Sequence, residues 1–380
     1  DGTPHRGEIN ALMIGDPGSL IAGTKVVLED GSIVNIETLG QKHLQKINKG
    51  MLIDDLNTRD TATVFHKYEQ QPIIELITES GKRVGGTYNH PLMTIDGWKQ
   101  IQNIRVGDKL QCLRRIPCSI KDYVESGFVE HNNDNGGPKY HGILPKVIDE
   151  KVASIMGWLT GDGWIHSKSR VGFCINPEEN DLLDPLLSMM KEKFGLEPSI
   201  EYRHTKDTTS YIGDRQITRT VDMTSVEFNS MTLVGAFSFL VEQLYRRVPD
   251  KIFLSPNNIV SVYLRWLFEA DGCVFNNGRG RRAIQLKSGS VWLLEDVQLL
   301  LLRFGIHSRI VGNNLTIRRG ESIIKYFNNI GFASKKKMDR LYDLYKSAQE
   351  FQRVGEQKFE RVVRINPLPF ADVYDIEVPT

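Results

Sequence analysis

The chain writes one block of residues twice, and such a chain must bury the two copies against each other or leave both apolar faces in water. The first copy reads Gly157-Trp158-Leu159-Thr160-Gly161-Asp162-Gly163, the second Leu264-Arg265-Trp266-Leu267-Phe268-Glu269-Ala270-Asp271-Gly272. Phe194-Gly195-Leu196 follows the first aspartate by 32 residues, and Phe304-Gly305-Ile306 follows the second by 33. An amphipathic pattern closes on each phenylalanine, over 182–194 and 293–304, and a third matched pair spans 233–245 and 323–330. Three matched elements in register predict a tandem repeat. Its first helix runs from near Asp149 to Gly161, and its counterpart takes Ser255 as N-cap with Pro256 at N1. Both end on Asp-Gly, where glycine suits a left-handed C-terminal position. Packing these helices side by side, with Gly157 and Gly161 permitting close approach, brings Asp162 and Asp271 to the bottom of one interface. One such turn alone is an ordinary helix end. Two of them beside a basic stretch predict a magnesium site, since hard cations take oxygen ligands and bridge to substrate phosphates.

The composition is that of a folding chain. Its 380 residues allow two or three domains, and 40% hydrophobic with 25% charged residues excludes a disordered or low-complexity reading. No apolar run approaches the roughly 18 residues of a membrane span, and residues 1–6 lack a secretory signature. A soluble, cytoplasmic monomer with no membrane partner is expected. Cys112, Cys118, Cys174 and Cys273 stand singly, without zinc or disulfide spacing, which predicts packed thiols. The net charge of +1 hides an asymmetry, because residues 279–346 hold fourteen Lys/Arg against five Asp/Glu. That stretch suits a phosphate-binding face built from Arg279, Arg281, Arg282, Lys287, Arg318, Arg319, Lys335, Lys336 and Lys337. Charge alone serves a solvated helix face equally well.

Residues 1–18 hold an apolar run, Ile9 to Ile14, and then Gly15-Asp16-Pro17-Gly18, a strand entering a glycine turn of the kind that cradles phosphate. No Gly-Lys-[Ser/Thr] follows, so the turn lacks its lysine counter-charge and is no working nucleotide site. From Gly18 to about Pro117, short apolar runs at 25–28, 33–36 and 73–77, bounded by Gly, Asp or Asn, predict an all-β unit. Residues 119–142, with Asn132-Asn133-Asp134-Asn135-Gly136-Gly137-Pro138, read as a polar, mobile bridge. Strand texture returns at 361–365 and 373–378. Inside the β unit, Gly86-Thr87-Tyr88-Asn89-His90-Pro91 spaces a hydroxyl and an imidazole so that both can address one amide. A turn histidine taken alone is more often structural.

The segments GWLTGDG and LRWLFEADG resemble the paired motifs of LAGLIDADG homing endonucleases, over about residues 146–345. The resemblance implies αββαββα repeats, saddle-shaped sheets in the major groove of double-stranded DNA, and magnesium held by Asp162 and Asp271. Where that family carries lysines, this chain reads Arg246-Arg247-Val248-Pro249 and Ser290-Val291-Trp292, leaving Arg246, Lys251 and Lys287 as possible basic catalytic residues. Ser19-Leu20-Ile21-Ala22-Gly23-Thr24-Lys25-Val26, GTYNHPLMT and Asp372-Val373-Tyr374-Asp375-Ile376-Glu377-Val378 resemble three blocks of inteins, over about residues 19–118 and 346–380. Residues 9–18 resemble the strand and loop that open the P-loop of MCM replicative helicases.

Together the resemblances imply a multidomain fold. Residues 1–18 would be the N-extein remnant of an MCM helicase, and 19–118 with 346–380 one discontinuous all-β Hint splicing domain. Residues 119–145 would be a linker and 146–345 an inserted two-repeat α+β endonuclease. Splicing would need no cofactor. Ser19 would attack the Gly18 carbonyl while Thr87 and His90 polarise and protonate the amide, His90 lying within hydrogen-bond reach of the Gly18–Ser19 peptide nitrogen; Asp375 would assist later steps. Inteins usually begin with cysteine, and a serine hydroxyl is a weaker nucleophile. The magnesium-dependent endonuclease would cut the MCM gene lacking the insertion. A DNA-binding regulator or RNA maturase on inactive repeats needs neither the Thr-x-x-His spacing nor the leader. An ATPase needs the complete GxxxxGK[ST], which the sequence lacks.

Overall fold

The computed structural model describes residues 18–53, 58–129, 143–166, 170–212, 215–238, 246–276, 282–349 and 358–378. The strand expected over residues 9–14, the turn at 15–17, Arg279 and Arg281 lie outside the described residues. The β unit opens with β1 (Leu20–Ile21), β2 (Lys25–Val27), β3 (Ile33–Asn35), β4 (Gln45–Ile53) and β5 (Thr58–Thr78). It continues through β6 (Arg83–Thr87), β7 (Pro91–Thr94), β8 (Gly97–Gln100) and β9 (Lys109–Gln111). The first repeat is α1 (Glu150–Asp162), β10 (Gly163–His166), β11 (Arg170–Ile175), α2 (Leu183–Phe194), β12 (Ser199–Ile212), β13 (Arg215–Asn229) and α3 (Met231–Ala236). After the short α4 (Asp250–Leu254), the second repeat is α5 (Asn257–Asp271), β14 (Gly272–Asn276), β15 (Arg282–Lys287), α6 (Val291–Leu302), β16 (Arg309–Val311), β17 (Asn314–Ile317) and α7 (Gly320–Asn329). Helix α8 (Lys335–Gln349) and strand β18 (Phe359–Glu377) complete the order. Both repeats therefore run αββαββα, each with its own four-stranded antiparallel sheet.

The C-terminal strand closes the β unit. β18 pairs with β5 from Val362↔Thr78 to Glu377↔Val64, and with β1 and β9 on its other side, inside an eight-stranded sheet. Proline cannot donate to a ladder, and Pro369 falls in the register break between Leu368 and Ala371. The β unit is thus discontinuous, with both repeats inserted between β9 and β18.

Helices α1 and α5 pack so closely that a Cβ on Gly157 would meet the Tyr263 carbonyl oxygen at 2.3 Å, and one on Gly161 the Ala270 Cβ at 2.5 Å. Two details differ from expectation. Ser255 is the C-cap of α4, its Oγ donating to the Lys251 carbonyl, and Pro256 is the N-cap of α5 without a side-chain bond. Gly163 and Gly272 are extended (φ −78° and −98°) rather than left-handed. What they need is space, because a Cβ at either would lie 2.4 Å from the carbonyl oxygen of Leu159 or Phe268. Left-handed glycines do follow the second helix of each repeat, at Gly195 and Gly305 (φ 66° and 64°).

The larger apolar core spans both repeats and takes in Val27, Ile33, Leu113 and Ile116 of the β unit; a second core lies within the β sheet. The described ends of the bridge between units are tied down, with Ser119 Oγ donating to the Leu254 carbonyl (3.0 Å) and Ser126 Oγ to that of Pro145 (2.5 Å). Cys112 is buried and Cys174 and Cys273 are half-buried, whereas Cys118 is exposed; none of the four is in a disulfide among the described residues. Among the described residues no helix is long and apolar enough to cross a membrane.

Candidate functional sites

The first site forms where β1 lies between β6 and β18. Leu20 pairs with Gly86 on one side and Tyr374 on the other, so carrying the register back one residue sets Ser19 between Thr87 and Asp375. Leu20 and Tyr374 turn into the β core, which puts Ser19 and Asp375 on the opposite face. Ser19, Thr87 and His90 are all buried. The Ser19 N–H donates to Thr87 Oγ1 (2.9 Å), and the Thr87 N–H donates to the Ser19 carbonyl (2.9 Å). His90 sits on the turn after β6, its N–H bonded to the Thr87 carbonyl, and its Nδ1 lies 2.8 Å from the Gly18 carbonyl oxygen. Gly18 has no room for a side chain, since a Cβ there would meet the His90 Cα at 2.4 Å.

Thr87 and His90 therefore divide the work differently from the expectation. His90 addresses the carbonyl oxygen, and Thr87 holds the peptide nitrogen that His90 was expected to reach. Burial lowers the His90 imidazole to about 4 against the pull of its Gly18 bond, so it is neutral near pH 7. A neutral ring facing a carbonyl oxygen carries its proton on Nδ1, which leaves Nε2 as an acceptor, buried and without a hydrogen-bond partner among the described residues. The arrangement can polarise the Gly18 carbonyl and stabilise negative charge on its oxygen. Burial also raises the Asp375 carboxyl well above its usual range.

The second site is the floor between α1 and α5. Asp162 and Asp271 close these helices; a Cβ on Gly161 would lie 3.4 Å from Asp271 Oδ2. Burial pushes Asp162 up to about 7, reinforced by Asp271 and Glu179, and burial raises Asp271 as well. Two cations oppose this, Arg246 and Lys337. Arg246 is buried and donates to the carbonyls of Thr160 (2.7 Å), Gly161 (3.1 Å) and Gly163 (3.0 Å), clamping the end of α1. Lys337 bonds the Glu269 carbonyl and lies 3.6 Å from Glu179 and from the Glu269 carboxylate. Glu269 in turn accepts from the Ala333 and Ser334 N–H groups (2.8 and 3.0 Å) and Ser334 Oγ (2.6 Å), fixing the start of α8 from which Lys337 projects.

The donor set suits a hard cation, because carboxylate oxygens are hard donors, burial raises both carboxyls and Asp271 raises Asp162 further. Asp162 and Asp271 would hold it, and when bound it would offset their repulsion and polarise phosphate oxygens. Among the described residues no third Asp, Glu, His or Cys completes a cluster.

Residues 258–331 match the family model described as a LAGLIDADG-like domain. Replicative DNA helicase DnaB of Rhodothermus marinus is 23% identical over 345 residues, covering 87% of this chain and 33% of that protein. The tRNA-splicing ligase RtcB of Pyrococcus horikoshii is 24% identical over 382 residues, covering 94% and 39%. The chain spans about a third or less of the first of its curated relatives. Among solved structures, the homing endonuclease I-WcaI bound to its DNA recognition sequence covers 50% of this chain and is itself covered to 85%, at 12% identity and TM-score 0.39. The Ssp DnaB mini-intein variant covers 27% and is covered to 64%, at 18% identity and TM-score 0.23. The fold class is multidomain, a discontinuous Hint-type β unit carrying a two-repeat LAGLIDADG-type unit.

The basic residues of the insert separate in space. Arg318 and Arg319 follow β17 and are exposed, as is Lys287 at the end of β15, while Arg282 opens that strand half-buried. Lys335 is exposed and pairs with Asp339 one turn on, and Lys336 is exposed. Lys337 turns inward to the aspartates, a position its place in a lysine run conceals. Lys251 and Lys287 are not among the charges that act on Asp162 and Asp271, and Lys251 lies against Gly127 instead. Glu179 has no sequence signal, since it comes from a short 3-10 helix after β11 (Pro177–Leu182).

Proposed function

We propose that the chain is an intein precursor whose inserted domain is a homing endonuclease. One observation carries the splicing half: the Gly18–Ser19 peptide is held at its carbonyl oxygen by His90 and at its nitrogen by Thr87. Ser19 Oγ attacks the Gly18 carbonyl carbon, His90 Nδ1–H stabilises the oxyanion, and the C–N bond breaks as the hydroxyl proton passes to the Ser19 nitrogen beside Thr87. The product is an ester, and Asp375 serves a later step. Residues 19–118 and 346–380 are assigned to splicing, 119–145 to the linker and 146–345 to the endonuclease. The names of the relatives support this reading, because a helicase and an RNA ligase have no activity in common, yet each matches this chain over only part of its length. The leader Gly15-Asp16-Pro17-Gly18 favours an MCM helicase as host. Hydroxylamine treatment followed by mass spectrometry tests the assignment, with cleavage expected between Gly18 and Ser19 and an intact chain counting against it.

For the repeats we infer magnesium at Asp162 and Asp271, and double-stranded DNA on the sheets with Arg279, Arg281, Arg282, Lys287, Arg318, Arg319, Lys335 and Lys336 contributing. A second reading, DNA binding without cleavage, is favoured by Arg246 and Lys337, which already offset the carboxylate charge. Nicking of a plasmid carrying the uninterrupted helicase P-loop sequence decides between them.

A further inference from the structure

The β unit and the second repeat enclose an open groove of about 570 Å³. One wall is the sheet face opposite the buried Ile284, Leu286, Leu315 and Ile317, presenting Gln285, Thr316 and Arg309. The facing wall belongs to the β unit and includes Lys82 and Arg114, and Arg318 and Arg319 border the same groove. Its acids are Glu79 and Glu360, and Glu360 is engaged by Lys82 (2.6 Å), Thr78 and Ser80. Cations are thus in excess. His307 records that excess: burial first, then Arg114, Lys82, Arg319 and Lys325, push it down to about 4. Its Nε2 lies 3.4 Å from the Arg114 guanidinium, whose Nε is buried without a hydrogen-bond partner among the described residues.

Crowded guanidinium and ammonium groups around an open groove repel one another unless an anion joins them, and a planar guanidinium fork matches phosphate oxygens. The groove continues the sheet face proposed to meet DNA. We propose that it is a cleft for the duplex DNA backbone, so that the splicing unit, through Arg114, grips the substrate of the endonuclease. This rests on the endonuclease reading and adds to it a second unit in the DNA footprint.

The test is binding of the full chain to duplex DNA across a salt series, for the parent, Arg114→Gln, Arg309→Gln and the pair. Arg105→Gln, outside the groove, is the control, and thermal unfolding confirms that each variant is folded. Losing one phosphate contact makes the slope of log affinity against log salt shallower by about one, and the pair by about two, for every sequence alike. A parent that binds with steep salt dependence while Arg114→Gln matches it overturns the proposal and leaves the endonuclease reading intact. A parent that does not bind duplex DNA overturns both. If inorganic phosphate at constant ionic strength displaces DNA from the parent but not from Arg114→Gln, the groove is a small-anion site and the duplex cleft is wrong.

Discussion

His90 places its Nδ1 2.8 Å from the carbonyl oxygen of Gly18, the acyl oxygen of the bond that Ser19 would break. In the proposed reaction that distance would let the imidazole donate to the developing oxyanion with no reorganisation. It follows from chain geometry, because Thr87 and His90 are bonded across the turn after β6 and β6 is locked to β1 at Leu20↔Gly86.

His90→Ala in a Ser19→Cys background should slow cleavage at Gly18–Ser19 by about 10²- to 10³-fold, the usual effect of removing one such donor. Thiol-induced cleavage followed by mass spectrometry measures it. An unchanged rate removes His90 from the reaction.

The same burial has a stability consequence. The unfolded chain takes up a proton at His90 near its ordinary value, whereas the folded chain resists until about 4. The stabilisation is therefore present above the unfolded value and is lost as the pH falls toward 4. His90→Gln should flatten the fall in Tm over that acid window relative to the parent. Parallel Tm profiles would contradict the buried neutral ring.

At the aspartate pair the sign reverses. Asp162 holds its proton up to about 7 when folded, so its ionisation costs stability increasingly as pH rises through the window between its ordinary value and 7. Asp162→Asn should raise Tm at pH 8 and leave it nearly unchanged at pH 4. Magnesium should raise Tm at pH 8 increasingly with concentration, its binding adding about 2.7 kcal/mol of stability at a hundredfold excess over its dissociation constant, and should raise it much less at pH 5. Equal shifts at both pH values would place the ion elsewhere.

What was legible in the sequence is what repeats or lies close along it. The 32- and 33-residue spacings report the tandem repeat, the resemblance of its motifs implied the αββαββα order, and Thr87 and His90 are near enough for one turn to join them. What was hidden depends on distant packing. Lys337 reaches Asp162 across 175 residues only because Glu269 anchors the start of α8, and no local pattern reveals it. Gly163 and Gly272 looked like left-handed caps, yet their φ values are extended and the demand is steric. Whether His90 meets oxygen or nitrogen was likewise a matter of three-dimensional register.

The glycines between the helices give a direct test of packing. Gly161→Ala adds a methyl group 2.5 Å from the Ala270 Cβ and should cost about 1–3 kcal/mol as the helices separate. Chemical denaturation measures it. A neutral substitution would mean that α1 and α5 have slack at the site.

The last prediction concerns how far the two units fold as one. Arg303 is buried at the end of α6 and donates to the Phe253 and Ser255 carbonyls (both 2.6 Å) and to the Gly31 carbonyl (3.1 Å). Gly31 belongs to the β unit and the other two to the segment around α4, so one guanidinium satisfies carbonyls of both units. The apolar core agrees, since Val27, Ile33, Leu113 and Ile116 pack into the core of the repeats. Burial lowers the Arg303 pKa to about 10, which still leaves it charged at neutral pH. Arg303→Met keeps most of the apolar stem but strands three buried carbonyls, at about 1–3 kcal/mol each. The parent should unfold in a single calorimetric transition. The variant should unfold at lower temperature and resolve into two, because the polar tie is lost while each unit keeps its own hydrogen-bonded sheets. If the parent already shows two transitions, the shared core does not couple the units.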